Sequence, residues 1–142
     1  MLAAVDEVKK NAIFRFSSPT ITDRQWRYYL EACERLGAAH GGPGACLVCI
    51  SDPGSDLPNA PWRRRFAEVA TRVRTDTTFV LISPSPMARG IVTAVNWIRP
   101  FRFQHRVVGT WAEALRALGP LTSPTRPSDL DALLATMAAV PA

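Results

Sequence analysis

The sequence predicts an α/β domain with a single mixed sheet of about five strands and four to five helices packed on it. Three observations carry this. Residues 45–50 (ACLVCI) and 79–83 (FVLIS) are continuously apolar, the pattern of strands covered on both faces. Each is followed by a turn-rich segment and then by apolar residues at helical spacing. The resulting order, β-β-α-β-α-β-α-β-α, alternates as crossover-linked sheets do.

The elements follow in order. Residues 5–8 suit a short edge strand and 12–16 (AIFRF) a stronger one, joined by a hairpin around Lys9, Lys10 and Asn11. Thr22 and Gln25 have capping-box spacing, and Trp26, Tyr29, Leu30, Cys33 and Leu36 then recur at helical intervals until Gly37. A glycine-rich loop, 40–44, leads into the strand at 45–50. Residues 51–59 are rich in turn formers and should lie beyond the C-terminal edge of that strand, where function gathers in open α/β sheets. Pro61 opens a helix with Trp62, Phe66, Val69 and Val73 on one face and Arg64, Arg65, Glu68 and Arg72 on the other. After the strand 79–83, Ser85 and Pro86 supply an N-cap and a first-turn proline for a further helix. Residues 104–108 form the last expected strand. Thr110 then caps a helix from Trp111 to Leu118, with Glu113 at its third position. This gives an α/β domain over 1–121, and a linker with a short C-terminal helix, 129–140, over 122–142.

Composition bounds the function. With 142 residues, 47% apolar and 20% charged, the chain is the size of one domain with an ordinary core. Lysine and arginine outnumber acids 17 to 12, but the densest basic run is Arg63, Arg64 and Arg65, so nucleic acid is not the expected partner. No segment nears the roughly 18 apolar residues of a membrane span, and the first eleven residues lack a basic-then-apolar export layout, which points to the cytoplasm. Three cysteines fit a reduced protein. Cys46 and Cys49 have a metal or redox spacing, but on a strand positions three apart face opposite sides, so both are read as core residues. With no ligand cluster, no P-loop, no G-x-G-x-x-G turn and no nucleophile elbow, neither metal, cofactor nor catalytic set is expected.

Arg89 and Gly90 fall in the first turn of the helix after Ser85, where free N–H groups and the helix dipole favour an anion. Arg64 or Arg65 could share that rim, and the competing role for Arg89 is a salt bridge to Asp52 or Asp56. Trp97 lies off the helix's apolar side, either under the 100–103 loop or exposed as an interface anchor. Ser51 and Ser55 are candidate phosphosites near the same sheet edge, with turn roles as the alternative.

Taken together, Asp52 at the end of a central strand, the arginines 63–65, the run R-G-I-V-T-A-V-N-W at 89–97 and the closing F-Q-H-R-V-V-G-T-W-A-E-A-L resemble bacterial STAS-like proteins of the SpoIIAA-like/CRAL-TRIO type, over residues 5–118. The resemblance implies a non-enzymatic module that binds a partner protein or a small anionic or lipidic ligand. In this sequence the Asp-Ser order of the phosphorylated branch is reversed, as Ser51-Asp52. On this reading Arg89, Arg64, Arg65, Asp52 and Trp97 form the binding surface. The alternatives are a homo-oligomer through Trp97 and 101–103, and a small hydrolase-like enzyme using Asp52 and His105.

Overall fold

The structure is a computed structural model. It describes residues 1–118 and 124–142. The expected boundary at 121/122 and the start of the expected linker lie outside the described residues.

The described chain is an α/β fold with one mixed sheet of six strands and five helices. β1 (Leu2–Asp6) and β2 (Asn11–Phe16) form the antiparallel hairpin. The hairpin turn comes earlier than the expected strand at 5–8, because the Asp6 carboxylate accepts the Val8 and Lys9 N–H groups at 3.1 and 3.0 Å and ends β1 there. Lys10 takes a left-handed φ of 55° to complete the turn.

α1 (Asp23–Gly37) opens on the expected capping box, with Thr22 and Gln25 exchanging hydrogen bonds. β3 (Cys46–Ser51), α2 (Ala60–Ala70, capped by Asn59), β4 (Thr78–Ile82) and α3 (Pro86–Ile98, capped by Ser85) follow, then β5 (Gln104–Val108) and α4 (Trp111–Leu118). α5 (Pro127–Leu134) stops well short of the expected residue 140. Beyond it Ala138–Ala139 form β6, antiparallel to β1. Two long-range bonds hold this extended tail: Val140 N–H donates to the Met1 carbonyl at 3.1 Å, and Gln25 Nε2 donates to the Val140 carbonyl at 3.0 Å. These bonds and the burial of Val140 outweigh the helix propensity of the alanines.

The strand order is β5-β4-β3-β2-β1-β6, with β2 to β5 mutually parallel. The three crossovers from β2 to β5 all step the same way across the sheet. Right-handed crossovers therefore place α1, α2 and α3 on one face. Phe14, Phe16, Leu47, Cys49 and Leu81 point there, against Trp26, Leu36 and Trp62. Ile13, Cys46, Val48, Val80 and Ile82 point to the other face, under α4 and α5 through Ala114, Leu118 and Leu130. Cys46 and Cys49 thus sit on opposite faces, as strand alternation requires.

Thr78 heads β4 on the α4/α5 face. Its Oγ1 is buried with no hydrogen-bond partner among the described residues. An unmade buried bond is a cost that valine, of the same shape, does not carry. Thr78→Val is expected to raise stability by about 1 kcal/mol, seen as a higher urea midpoint at unchanged m-value; a lower midpoint would show that the hydroxyl is satisfied.

Candidate functional site

The face under α1, α2 and α3 is not filled. Between these helices and the centre of the sheet lies a cavity of about 130 Å³. Its walls come from α1 (Tyr29, Cys33), β3 (Leu47, Cys49), α2 (Phe66, Val69), β4 (Phe79, Leu81) and α3 (Ala88, Val92), and it reaches Leu57 and Pro58 at one sheet edge and Phe101 and Phe103 at the other.

Its position follows from the sequence pattern. α2 offers Phe66 to the sheet but only Ala70 a turn later, and α3 offers Ala88, so large and small side chains leave a gap between the two helices. Aromatic rings frame it. Tyr29 stands edge-on to Phe14, Phe16 and Phe66 at 5.0, 5.3 and 5.5 Å, and Phe79 meets Phe103 at 6.4 Å.

The polar groups in this wall are few. The Cys49 thiol donates to the Tyr29 hydroxyl at 3.3 Å, and Cys33 is hydrogen-bonded to the same phenol. Burial raises the Tyr29 phenol and the Cys33 thiol well above their ordinary values, and pushes Cys49 up to about 12. All three are neutral at physiological pH, so neither thiol is a thiolate nucleophile or ligand. Asp56 also borders the cavity, with its carboxylate already accepting the Ile21 and Leu57 N–H groups at 3.1 and 3.0 Å. No lysine, arginine or histidine among the described residues lines it. The arrangement can hold an uncharged apolar body, with the Tyr29 phenol as its polar group beside the Ser51 and Thr77 hydroxyls, which are engaged by Ser55 and the Gly37 carbonyl.

The residues expected to bind are placed elsewhere. Arg89 lies outside the cavity wall; its Nε donates to the Ser83 carbonyl at 3.0 Å. It forms no salt bridge to Asp52 or Asp56, because Asp52 is gripped by Arg15 through Nε and Nη2 at 2.8 and 3.2 Å. Arg64 is exposed on α2, Arg65 stacks over Trp62 at 4.7 Å, and neither lines the cavity. Trp97 is 81% exposed and is not covered by the 100–103 loop.

Ser51 is buried, with its hydroxyl 3.0 Å from that of Ser55, which keeps Ser51 from any kinase while the loop is closed. The Asp52 and His105 pair is not assembled. Strand register sets His105 beside Phe79 and, through it, Leu47, whereas Asp52 follows Leu47 by five residues. At roughly 3.3 Å per residue the two lie about 16 Å apart along the strand direction alone. The dyad supposed the same sheet end for both, and the parallel register puts them at opposite ends.

Compared with protein-family models, characterised proteins and solved structures, the chain gives no match. The likeness to STAS-like proteins rests on the sequence pattern alone. Among the described residues no three histidine, cysteine or carboxylate side chains gather as a metal site, and no helix is long and apolar enough to cross a membrane.

Sequence reasoning missed the cavity. Its one legible trace was Tyr29 and Cys33, four apart on the inward face of α1, opposite an inward Cys49 on β3.

Proposed function

We propose that this chain is a non-enzymatic binding module that takes a small, uncharged, largely apolar ligand into the cavity beneath α1, α2 and α3. The observation that carries this reading is an apolar, aromatic-framed void of about 130 Å³ holding one buried phenol. An apolar cavity of roughly 150 Å³ is enough to admit benzene. The size therefore favours a single ring or a short alkyl chain over a full acyl chain. The absence of a cation from the described wall weighs against a carboxylate or phosphate, whose loss of hydration nothing would offset. This selects the lipidic side of the ligand class that the STAS-like pattern implies and leaves the anionic side without a counter-charge.

Thermal unfolding with benzene, phenol, indole and benzoate tests this. A binding probe at a hundredfold excess over its Kd should stabilise the fold by about 2.7 kcal/mol. Phenol or indole should do so, and benzoate should not. Ala88→Leu, which fills the void from α3, should abolish the shift. No shift with any uncharged probe, or an undiminished shift in Ala88→Leu, would overturn the reading.

A further inference from the structure

The outer side of α3 is unusual for a surface helix. Trp97 is 81% exposed, Met87 72% and Ile98 47%, and Gly90 has only open space beside it. Arg89 is the only charged residue in the helix. A scattered exposed apolar residue needs no explanation, but three on one short helix with little charge between them form a patch.

The charge around this patch is one-sided. From residue 77 to residue 112 the sequence holds no aspartate or glutamate, but it holds Arg89, Arg99, Arg102 and Arg106. This β4-α3-β5 edge therefore carries most of the chain's net charge of +5. Arg99, Arg102 and Arg106 are exposed. Arg99 follows Trp97 and Ile98 directly and Arg102 comes three residues later, so cationic and apolar groups share one corner of the molecule.

We infer that the outer side of α3 docks on an anionic lipid surface, with Trp97 and Ile98 at its C-terminal end and Met87 at its N-terminal end entering the interface, and Arg99 and Arg102 pairing with headgroup phosphates. Charge complementarity selects the partner. A second copy placed on the same face would set arginine against arginine with no acid to separate them. Single-stranded nucleic acid needs open ring faces, yet Phe101 and Phe103 stack on each other at 4.9 Å and both stand edge-on to His105, leaving Trp97 without a run of neighbours. Ile98 and Met87 offer nothing to a base, whereas a bilayer interface takes both, with tryptophan at its headgroup level. The inference does not depend on the cavity, and Ala88→Leu should bind vesicles as the parent chain does.

Co-sedimentation of the whole chain with phosphatidylcholine vesicles, with and without phosphatidylserine, tests it. Binding should require phosphatidylserine and fall with added salt. The double variant R99Q/R102Q should lose about thirtyfold in partitioning, at roughly 1 kcal/mol per arginine. Trp97→Ala should lose on the order of tenfold. Both variants should keep the parent far-ultraviolet circular dichroism and urea midpoint, since these side chains are exposed. Equal binding to the two vesicle types, tighter binding to a single-stranded oligonucleotide than to the anionic vesicles, or a dimer that Trp97→Ala dissolves would each overturn the proposal.

Discussion

Gly44→Ala is expected to lower stability by about 3 kcal/mol, the upper end of what overpacking costs. A Cβ at Gly44 would stand 2.6 Å from the Asp76 carbonyl carbon and 2.8 Å from Asp76 Cγ, inside any real contact. Asp76 cannot swing aside cheaply. Arg74 holds its carboxylate through Nη2 at 2.6 Å and Nε at 3.0 Å, and the same guanidinium ties down the carbonyls of Ala39, Gly41 and Gly42. The alanine methyl would therefore strain the entry to β3 and the entry to β4 together. Gly90→Ala is the matched control: on open α3 surface the same change should stabilise by roughly 0.8 kcal/mol through helix propensity. Urea titration of both variants reads the contrast. A Gly44→Ala midpoint equal to that of the parent would mean that the 74–77 turn yields.

Phe14→Ala should cost about 4 kcal/mol. Phe14 has no exposure, sits on β2 on the sheet face beneath α1, α2 and α3, and braces Tyr29 edge-on at 5.0 Å. Its removal takes away the wall behind Tyr29, so the new space should join the cavity rather than stand alone. The expected signature is therefore double: a large fall in the urea midpoint, and a partial recovery on adding an uncharged aromatic probe. Phe14→Leu, which keeps most of the volume, should cost about 1.5 kcal/mol. A large loss without recovery by any probe would show that the void behind Tyr29 is separate from the cavity.

Most of the fold was legible because its determinants are local. The Thr22 and Gln25 capping box, the Ser85-Pro86 helix start and the apolar strands at the sheet centre each announce themselves within a few residues. What stayed hidden depends on distant partners. β6 is two alanines whose extended state exists only because β1 and Gln25 receive them. The cavity is a shortfall of volume summed over α1, α2 and α3, and no single residue encodes a void. Arg89 illustrates the limit at the site: its place in the first turn of α3 was readable, but the Ser83 carbonyl that occupies its Nε was not. Asp52 and His105 erred through register, since strand direction and offset, not strand identity, set which residues share an end.

The two margins of the sheet are finished differently. On one side β6 pairs with the first residues of β1, while on the other β5 ends the ladder, its strand pairing among the described residues being with β4. An edge strand is a template for other chains to pair with. Here its middle residue is Arg106, exposed, and Arg102 stands just before it. Two chains joining along β5 would have to bring these cations together, so the arginines that give this corner its charge also act as gatekeepers against fibre growth. Neutralising them exchanges that protection for solubility risk, and high protein concentration is where the difference emerges.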